Sequence, residues 1–320
     1  MMKMNLSYLR VLSSNTIQNL DEKLNELDAV RPIQKTILSK IQEQLQIEMT
    51  YNSNAIEGNT LTLKETFLVM QEGLTIKGKS LKDHLEVTDQ TRALEFLYKI
   101  VSRRSKIKFS EVVIRQFHSL VVQSTESDIS GKYREGIVQI SGSSHRPPEA
   151  NEVADLMNKL VLWLKKEGKK LHVVERAAII HHKLVSIHPF WDGNGRTARL
   201  IMNLILMQAG FPIAVILKVD RKRYYRVLSQ ADKGDLKPIC EFVAQAVNRS
   251  LNLYLKSIKV RPKVKQGKSL KELSKKSDYS SNYLRKLATQ GKLEAWKEGR
   301  NWLSTEEALE KYAESIKSKL

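Results

Sequence analysis

The chain has 320 residues, which at roughly 100 to 200 residues per domain predicts about two domains. Its 54 Lys and Arg outnumber 35 Asp and Glu, so the net charge of +19 points to an anionic partner such as a nucleotide, a nucleic acid or an acidic protein. A content of 28% charged and 41% hydrophobic residues is that of a folded protein, and the single Cys240 excludes a disulfide-stapled scaffold.

The same features predict a cytoplasmic location, because the first 20 residues contain no apolar run of signal-peptide length. The most apolar stretch, 200–217, is interrupted by Asn203, Gly210 and Pro212. These interruptions favour a buried helix, a turn and an apolar segment over a membrane span. We therefore expect no membrane partner.

Apolar residues recur at helical spacing along most of the chain, beginning with Leu20, Leu24 and Leu27. The pattern continues as a predicted helix over 33–58 that ends at Gly58. Further helices are predicted over 81–100, 110–123, 149–166, 171–187, 196–209, 221–230 and 238–258. The predicted fold class is mainly α.

One segment interrupts the helical pattern. Ile137, Val138 and Ile140 are β-branched, and the turn-like residues 141–144 follow them. This composition predicts a short strand or β-hairpin before Pro147 and Pro148. A hairpin isolated in a helical domain suggests a functional role.

A basic linker is predicted over 259–268, where the sequence KVRPKVKQGK contains five basic residues, no acidic residue, a Pro and a Gly. We place the domain boundary there. The predicted organisation is an N-terminal helical region over 1–110, a core over 111–258, the linker, and a C-terminal module over 269–320.

The C-terminal module has the order helix, helix, hairpin, helix. Ser269 with Glu272 and Ser304 with Glu307 fit capping boxes that start helices. A third helix start is predicted at Ser280, with the helix ending at Gly291, and a hairpin over 293–303 turns at Glu298-Gly299. The order describes a small winged helix-turn-helix.

The loop over 187–199, between two apolar helices, carries the residues that predict chemistry. Gly193 and Gly195 permit backbone conformations with exposed N–H groups, and the helix that opens at Arg196 adds its positive dipole end. Arg196 and Arg199 share one helix face, where two guanidinium groups could bind a polyphosphate. Phosphate is the ligand that this loop suits.

Two further side chains in the loop are suited to phosphate chemistry. Asp192 could hold Mg²⁺ against the phosphates, because Mg²⁺ favours one or two carboxylates together with phosphate oxygens. His188 can act as a general base toward a hydroxyl group. Singly these residues are ordinary, but a structural role does not explain all of them within twelve residues.

The segment from His188 to Arg199 resembles the signature of the Fic family, His-Pro-Phe-x-Asp/Glu-Gly-Asn-Gly-Arg-x-x-Arg, at every defined position. The resemblance extends over about 39–255. Fic proteins mostly transfer AMP from ATP to a Ser, Thr or Tyr hydroxyl of a protein and release pyrophosphate. The resemblance therefore implies a Fic-type helical domain with a short β-hairpin flap and an AMP-transferase activity with ATP and a target protein as partners.

The resemblance also implies roles for the motif residues. His188 would deprotonate the target hydroxyl, and Asp192 would bind the Mg²⁺ that bridges the α- and β-phosphates. The implied nucleotide-binding residues of the motif are Gly193, Asn194, Gly195, Arg196, Thr197, Ala198 and Arg199. Doc-type relatives that phosphorylate their target carry Lys where this chain has Gly195, so Gly195 favours AMP transfer.

The hairpin resembles the flap of the family, which positions the target backbone by strand addition and borders the nucleotide. The flap residues implied to lie near the nucleotide are Gly142, Ser143, Ser144 and His145. Tyr224 and Tyr225 resemble residues near the adenine, where aromatic faces can stack. Asp232 occupies a position where relatives often have Asn beside the base.

A second motif of the family precedes the core. Residues 53–58, SNAIEG, match the inhibitory motif Ser/Thr-x-x-x-Glu-Gly/Asn, which resembles the class with an N-terminal inhibitory helix, here 33–58. By this resemblance Glu57 would pair with Arg199 and remove its γ-phosphate contact, while Ser53 would help to hold the helix. In some relatives the same Glu positions a water that removes AMP, so a de-AMPylase that uses Glu57 is the alternative enzyme.

The C-terminal module admits DNA as a partner. It resembles the helix-turn-helix of excisionase and MerR-type proteins, and its second helix presents Arg285 and Lys286. Such modules also serve protein contacts. The non-enzyme alternative is a DNA-binding regulator with a vestigial nucleotide domain. Relatives often dimerise through the Fic domain, so a homodimer is a further expectation.

Overall fold

A computed structural model describes residues 11–102, 109–140, 143, 145–259, 268–277, 279–290, 292–299 and 301–317. The chain divides into two units, Met1–Ser257 (unit 1) and Ile258–Leu320 (unit 2). The flap residues Gly142 and Ser144, and most of the predicted linker, lie outside the described residues.

Unit 1 is built from helices, as the apolar spacing predicted. Its α-helices are α1 Ser14–Asp28, α2 Lys35–Ile56, α3 Leu63–Glu72, α4 Leu81–Ser102, α5 Glu111–Val122, α6 Val153–Lys165, α7 Val173–Ile187, α8 Asn194–Gln208, α9 Arg221–Asp232 and α10 Lys237–Lys259. Short 3-10 turns lie at Ser127–Ile129, Ala150–Glu152, Glu167–Lys170 and Lys218–Asp220. The mainly α fold class is confirmed. Within the described residues, no helix combines the length and apolar character that crossing a bilayer requires.

The core of unit 1 centres on α7 and α8, which pack against each other and are joined by the loop 188–193. Both helices are apolar on the faces that meet: Ile180 and Leu184 of α7 and Leu200 and Ile201 of α8 are inaccessible to solvent. Because α4 and α5 also cover α8, its first turn lies inside the unit. The loop is therefore held at both ends by buried helices.

The helix α3 was absent from the predicted elements. It begins with a capping box in which Thr62 Oγ1 accepts from the N–H of Glu65, and the Glu65 carboxylate accepts from the N–H of Thr62. It ends at Gly73, whose φ of 64° is left-handed. The Thr-x-x-Glu spacing was the available sequence indication of this helix.

The predicted flap hairpin requires a correction. No strand is assigned to residues 137–140 or 145–149 in the part of the chain that the structure describes. Arg134 binds the carbonyls of Gly136 and Pro148, and Pro147 and Pro148 have no N–H to donate. Groups that would form a strand ladder are thus engaged by a side chain or missing.

Unit 2 contains α11 Leu270–Ser274, α12 Ser281–Thr289 and α13 Glu306–Lys317 with three short strands, β1 Lys268–Ser269, β2 Ala295–Glu298 and β3 Asn301–Ser304. The strands form an antiparallel sheet of order β1-β3-β2, with Ala295 opposite Ser304 and Glu298 opposite Asn301. Its core is a leucine cluster that includes Leu273, Leu284 and Leu293.

The helix starts of unit 2 are mostly those predicted. Ser269 forms a capping box with Glu272, and Ser280 caps α12. The predicted cap at Ser304 is wrong by one residue: Thr305 Oγ1 accepts from the N–H of Ala308, whereas Ser304 Oγ donates to the carbonyl of Glu294. The strand β1 was not predicted, because two residues are too few to give an alternating pattern.

Candidate active site

The loop between α7 and α8 adopts two left-handed backbone conformations. His188 ends α7 with a φ of 50°, and its N–H donates to the carbonyl of Leu184 at 3.0 Å. Gly193 caps α8 with a φ of 72°. A Cβ atom at residue 193 would lie 2.9 Å from Cγ1 of Val122, so the conformation and the packing both require glycine.

The imidazole of His188 is oriented for proton acceptance. Its Nδ1 lies 3.2 Å from the carbonyl of Val185, which can only accept, so Nδ1 carries the proton and Nε2 keeps its lone pair. Burial lowers the pKa of His188, although the carbonyl of Val185 and the carboxylate of Glu57 oppose this shift. The ring is therefore neutral at neutral pH and can take a proton from a hydroxyl group.

His118 of α5 and Asn194 hold the loop in shape. His118 stacks on Phe190 with ring centroids 3.7 Å apart, and its Nε2 donates to the carbonyl of Asp192 at 3.0 Å. Burial lowers the pKa of His118 to about 4, so it is neutral in this role. The Asn194 side chain exchanges two hydrogen bonds with the backbone of Phe190, at 2.9 and 2.7 Å. The Asn194 side chain is thus committed to the loop, and its main-chain N–H remains for a ligand.

The first turn of α8 is arranged to bind an anion. The N–H groups of Asn194, Gly195 and Arg196 precede that of Thr197, which makes the first hydrogen bond of the helix, to the carbonyl of Gly193, and Gly193 offers no side-chain cap. Nε and Nη1 of Arg196 and Nη1 of Arg199 are buried and have no hydrogen-bond partner within the described residues. These donors suit phosphate oxygens. Thr197 and Ala198 are fully buried, and Ala198 offers no polar side-chain atom.

Arg199 is paired with the end of α2. Its Nη2 donates to Glu57 Oε1 at 2.8 Å and to the carbonyl of Ser53 at 2.8 Å, and its Nε donates to Ser53 Oγ at 3.0 Å. Burial disfavours the charge, but Glu57 and Tyr224 together raise the pKa of Arg199. The structure thus brings Arg199 together with Ser53 and Glu57, which precede it by more than 140 residues in the sequence.

Gly195 is needed where Glu57 lies against α8. A Cβ atom at residue 195 would overlap Oε1 of Glu57 and approach Nη1 of Arg199 to 3.1 Å. Any larger residue at position 195 therefore conflicts with the Glu57–Arg199 ion pair. The glycine that the motif requires for phosphate approach also admits this carboxylate.

Arg196 is held between two carboxylates. Its Nη2 lies 3.1 Å from Asp192 Oδ2, and its Nη1 lies 3.6 Å from Oε1 of Glu86 on α4. Glu86 Oε2 in turn accepts from Nδ2 of Asn59 at 2.8 Å, two residues beyond Glu57. Both arginines of the motif are thus connected to the segment that follows α2.

Asp192 is the carboxylate that fits a metal. Burial opposes its ionisation, but Arg196 and the N–H of Gly193 hold the pKa of Asp192 below its ordinary value. No group of three or more His, Cys, Asp or Glu residues that could hold an ion exists within the described ranges. A single ionised carboxylate beside N–H groups that can bind phosphate fits Mg²⁺ whose remaining ligands are phosphate oxygens and water.

A cavity of about 130 Å³ lies between the flap, the last turn of α7 and α9. Its polar lining includes Ser143, His145, Tyr225 and Asp232. Asp232 Oδ1 lies 2.9 Å from Nε2 of His182 and 3.8 Å from Nδ1 of His145. These implied nucleotide residues are therefore close together, and the cavity is the candidate site for the base.

Tyr224, which the resemblance also places near the adenine, does not line this cavity. It is 2% exposed, and its hydroxyl lies 2.9 Å from Nε2 of His181 in the core. Because a tyrosine pair on one helix points in two directions, Tyr225 reaches the cavity and Tyr224 packs inside. Burial raises the pKa of Tyr224, and the positive charge of Arg199 opposes this rise.

A larger groove of about 520 Å³ is lined by residues of α1 and α10, including Asn15, Asn19, Glu241 and Asn248. It contains one carboxylate and no cationic side chain. None of the residues 188–199 lines this groove, whereas the smaller cavity is lined by Val185 and Ser186 at the end of α7, next to the loop, so the smaller cavity is the better candidate.

The sequence analysis missed Glu86, His118 and Arg134. Each is buried and bonds to a loop or motif residue at least 50 positions away. Glu86 and His118 lie within helices. The periodic pattern of a helix predicts which face is buried but not which distant residue that face contacts. The loop motif gave no indication of them.

Comparison with known proteins is consistent with this geometry. Residues 108–206 match the Fic/DOC family. A protein named protein adenylyltransferase Fic from Nematostella vectensis is 36% identical over 259 residues, which are 80% of this chain and 60% of that protein. The chain thus spans less than two thirds of this relative and about half of similar proteins from Drosophila species.

Solved structures are similar over most of unit 1. Fic-1 from C. elegans has a TM-score of 0.70 and 32% identity, and the match covers 77% of this chain and 72% of that chain. A Fic domain containing signaling protein from Bacteroides thetaiotaomicron has a TM-score of 0.68 and 30% identity, and the match covers 76% of this chain and 97% of that chain.

Proposed function

The chain belongs to the Fic/DOC family, and on that premise we propose that it transfers AMP from ATP to a hydroxyl group of a protein. One observation carries the proposal. A neutral histidine with Nε2 free for a proton adjoins a helix N-terminus and two arginines, each of which keeps at least one buried nitrogen without a hydrogen-bond partner within the described residues. This combination suits attack by a hydroxyl group on a bound polyphosphate.

The proposed reaction uses the residues as follows. The target hydroxyl loses its proton to Nε2 of His188, and its oxygen forms a bond to the α-phosphorus of ATP. The bond from that phosphorus to the bridging oxygen breaks, and pyrophosphate leaves. The N–H groups of Gly195 and Arg196 and the two guanidinium groups stabilise the negative charge on the phosphate oxygens.

Mg²⁺, held by Asp192, would supply charge neutralisation of the phosphates when it is bound. The base of ATP would occupy the cavity beside Tyr225, His145 and Asp232. Asp232 accepts hydrogen bonds only, so it suits an amino group on the base. Ser143, which lines the same cavity, belongs to the flap that would carry the target segment.

We further propose that the resting protein is inhibited by α2. Glu57 occupies Nη2 of Arg199 and the space beside Gly195, where a phosphate group would otherwise lie. Ser53 holds the same guanidinium from the preceding turn. ATP that binds beside this carboxylate meets a negative charge, so its phosphates are displaced from the reactive position.

The variant Glu57→Gly tests both proposals. We expect self-labelling by α-labelled ATP to increase at least about tenfold over the wild type, because Arg199 and the first turn of α8 become free for phosphates. Adding His188→Ala should abolish the label. Lack of labelling in Glu57→Gly would refute AMP transfer, and equal labelling of both proteins would refute inhibition by Glu57.

The same reagents test the alternative in which Glu57 removes AMP. Labelled protein made by Glu57→Gly would be incubated with unlabelled wild-type protein and, separately, with Glu57→Gly. Loss of label with the wild type alone would assign hydrolysis to Glu57. Retention of label with both proteins would contradict a de-AMPylase.

For unit 2 we propose a winged helix-turn-helix that binds the phosphates of duplex DNA. Arg285 and Lys286 are exposed on α12, and neither forms an ion pair among the residues that the structure describes. The helix is followed by the hairpin β2-β3, which corresponds to a wing. Unpaired cations on a short exposed helix are suited to a polyanion.

A further inference from the structure

Arg134, which precedes the flap, makes an unusual set of contacts. The residue is 2% exposed. Its Nε donates to the carbonyl of His188 at 2.8 Å, Nη1 to the carbonyl of Gly136 at 2.7 Å and Nη2 to the carbonyl of Pro148 at 2.5 Å. Its own N–H donates to the carbonyl of Pro189 at 2.9 Å. Arg134 thus joins the loop 188–193, called the catalytic loop below, to both ends of the flap.

The hydrogen-bond acceptors of the Arg134 side chain are these carbonyls, while the carboxylate of Glu149 acts on its charge without a direct ion pair. Arg134 forms no ion pair within the described residues. Burying a guanidinium without an anionic partner is costly, and the cost is offset only when its N–H groups all find acceptors. The three carbonyls lie on three segments, and each accepts from a different nitrogen of the planar guanidinium. The donors of a lysine ammonium all belong to one nitrogen.

The carbonyls that Arg134 binds are those that no secondary structure satisfies. His188 is in the left-handed conformation at the end of α7, so its carbonyl points away from the helix ladder. The flap segments 137–140 and 145–149 form no strand ladder in the described part of the chain. Removing the guanidinium would leave these groups without a partner and free the loop to change conformation.

We propose that Arg134 is a positioning residue that holds His188 and both ends of the flap as one rigid group. The inference rests on the proposed AMP transfer. A target segment on the flap then presents its hydroxyl at a fixed distance from Nε2 of His188. No hydrogen bond or ion pair within the described residues joins Arg134 to Arg196 or Arg199, so it acts on the geometry of attack and not on nucleotide binding.

The test introduces Arg134→Lys into Glu57→Gly and compares this double variant with Glu57→Gly alone, the parent. We expect kcat for self-labelling to fall about tenfold or more while the KM for ATP stays within about threefold, because a misplacement of about 1 Å is enough to lower the rate strongly. The matched control is Arg249→Lys, whose guanidinium also donates to a carbonyl, that of Val215, outside the catalytic loop. The control should behave like the parent.

Two measurements separate positioning from general destabilisation. In Arg134→Ala, millimolar guanidinium should restore part of kcat, whereas methylammonium should not, because only the planar cation reaches all three carbonyls. Amide hydrogen exchange should become faster in Arg134→Lys at 137–140, 145–149 and 190–193 together, with the core of α8 unchanged. The exchange experiment needs no catalysis.

The outcomes distinguish this inference from the proposed function. If Glu57→Gly itself transfers no AMP, the proposed function fails, and the exchange pattern alone decides whether Arg134 couples the flap to the loop. Unchanged kcat in Arg134→Lys, a rise in KM alone, or faster exchange throughout unit 1 would overturn the positioning role. If Arg134→Lys does not fold, Arg134→Gln, which keeps a planar donor, takes its place under the same criteria.

Discussion

Arg196 and Arg199 lie one turn apart on α8 and have different partners in the resting protein. Arg199 is bound by Glu57 and Ser53 from α2, whereas Arg196 lies between Asp192 and Glu86. Both guanidinium groups keep at least one unpartnered nitrogen within the described residues. The resting arrangement therefore blocks one arginine more completely than the other.

The pH dependence of transfer should report His188. Burial lowers its pKa below the ordinary 6.5, and only the neutral ring accepts a proton, so kcat/KM should rise with pH and reach half its maximum below pH 6.5. Glu57 raises this pKa, so in Glu57→Gly the midpoint should lie still lower. Rates of self-labelling by Glu57→Gly across the acid range provide the measurement. A midpoint above 6.5 would contradict this assignment.

Gly195→Ala should have opposite effects on stability in two backgrounds. In the wild type the new Cβ overlaps Oε1 of Glu57, so the free energy of unfolding should fall. In Glu57→Gly the clash is absent, and alanine in a helix is more favourable than glycine by roughly 0.5–1 kcal/mol. Denaturant unfolding of the four proteins gives the coupling. Equal changes in both backgrounds would show that Glu57 does not occupy this position.

The end of α2 is fixed by more than the ion pair of Glu57. Asn54 Nδ2 donates to the carbonyl of Glu86 on α4, and Arg221 Nε donates to the carbonyl of Ile56 at 2.8 Å. Arg199 and Arg221 thus place positive charge at the C-terminal, negative end of the helix dipole. Release of α2 requires that several buried contacts break together.

Asn59→Ala should weaken this attachment while it leaves Glu57 intact. The side chain of Asn59 donates to the carbonyl of Asp83 at 3.0 Å and to Glu86 Oε2 at 2.8 Å, and its loss should destabilise the protein by about 1–3 kcal/mol. Self-labelling should rise to a level between the wild type and Glu57→Gly. Asn158→Ala on the surface of α6 is the control. Labelling at the wild-type level would show that α2 does not need Asn59.

At the scale of the whole molecule, the charged residues behind the net charge of +19 are in different environments in the two units. The motif arginines Arg196 and Arg199 are buried in unit 1, whereas residues 261–320 contain 15 Lys and Arg against 8 Asp and Glu. Composition predicted an anionic partner. The two units suggest two candidates for it, a nucleotide for unit 1 and a nucleic acid for unit 2.

Binding of the full chain to duplex DNA should weaken as salt increases, because each phosphate contact releases counterions. Replacing Arg285 and Lys286 by Gln should reduce the slope of log K against log salt by about two. The control is Lys159→Gln with Lys165→Gln on α6. Binding without salt dependence, or a slope that the double variant leaves unchanged, would instead favour a protein partner for unit 2.

The sequence by itself determined the features that depend on neighbouring residues. Apolar spacing located most helices, Ser269 and Ser280 identified helix starts, and the twelve residues from His188 to Arg199 predicted a candidate base, a candidate anion site and a candidate metal ligand in one loop. Such features are local, because helix periodicity, capping and loop geometry involve residues only a few positions apart.

Only the tertiary structure decided which distant groups meet. Arg134 reaches the carbonyl of His188 across 54 positions, Glu86 reaches Arg196, and Tyr225 lines the cavity while Tyr224 packs inside. It also assigned no strand to the described flap segments 137–140 and 145–149. A hydrogen bond between distant segments depends on how whole helices pack, and packing leaves no periodic pattern around either partner.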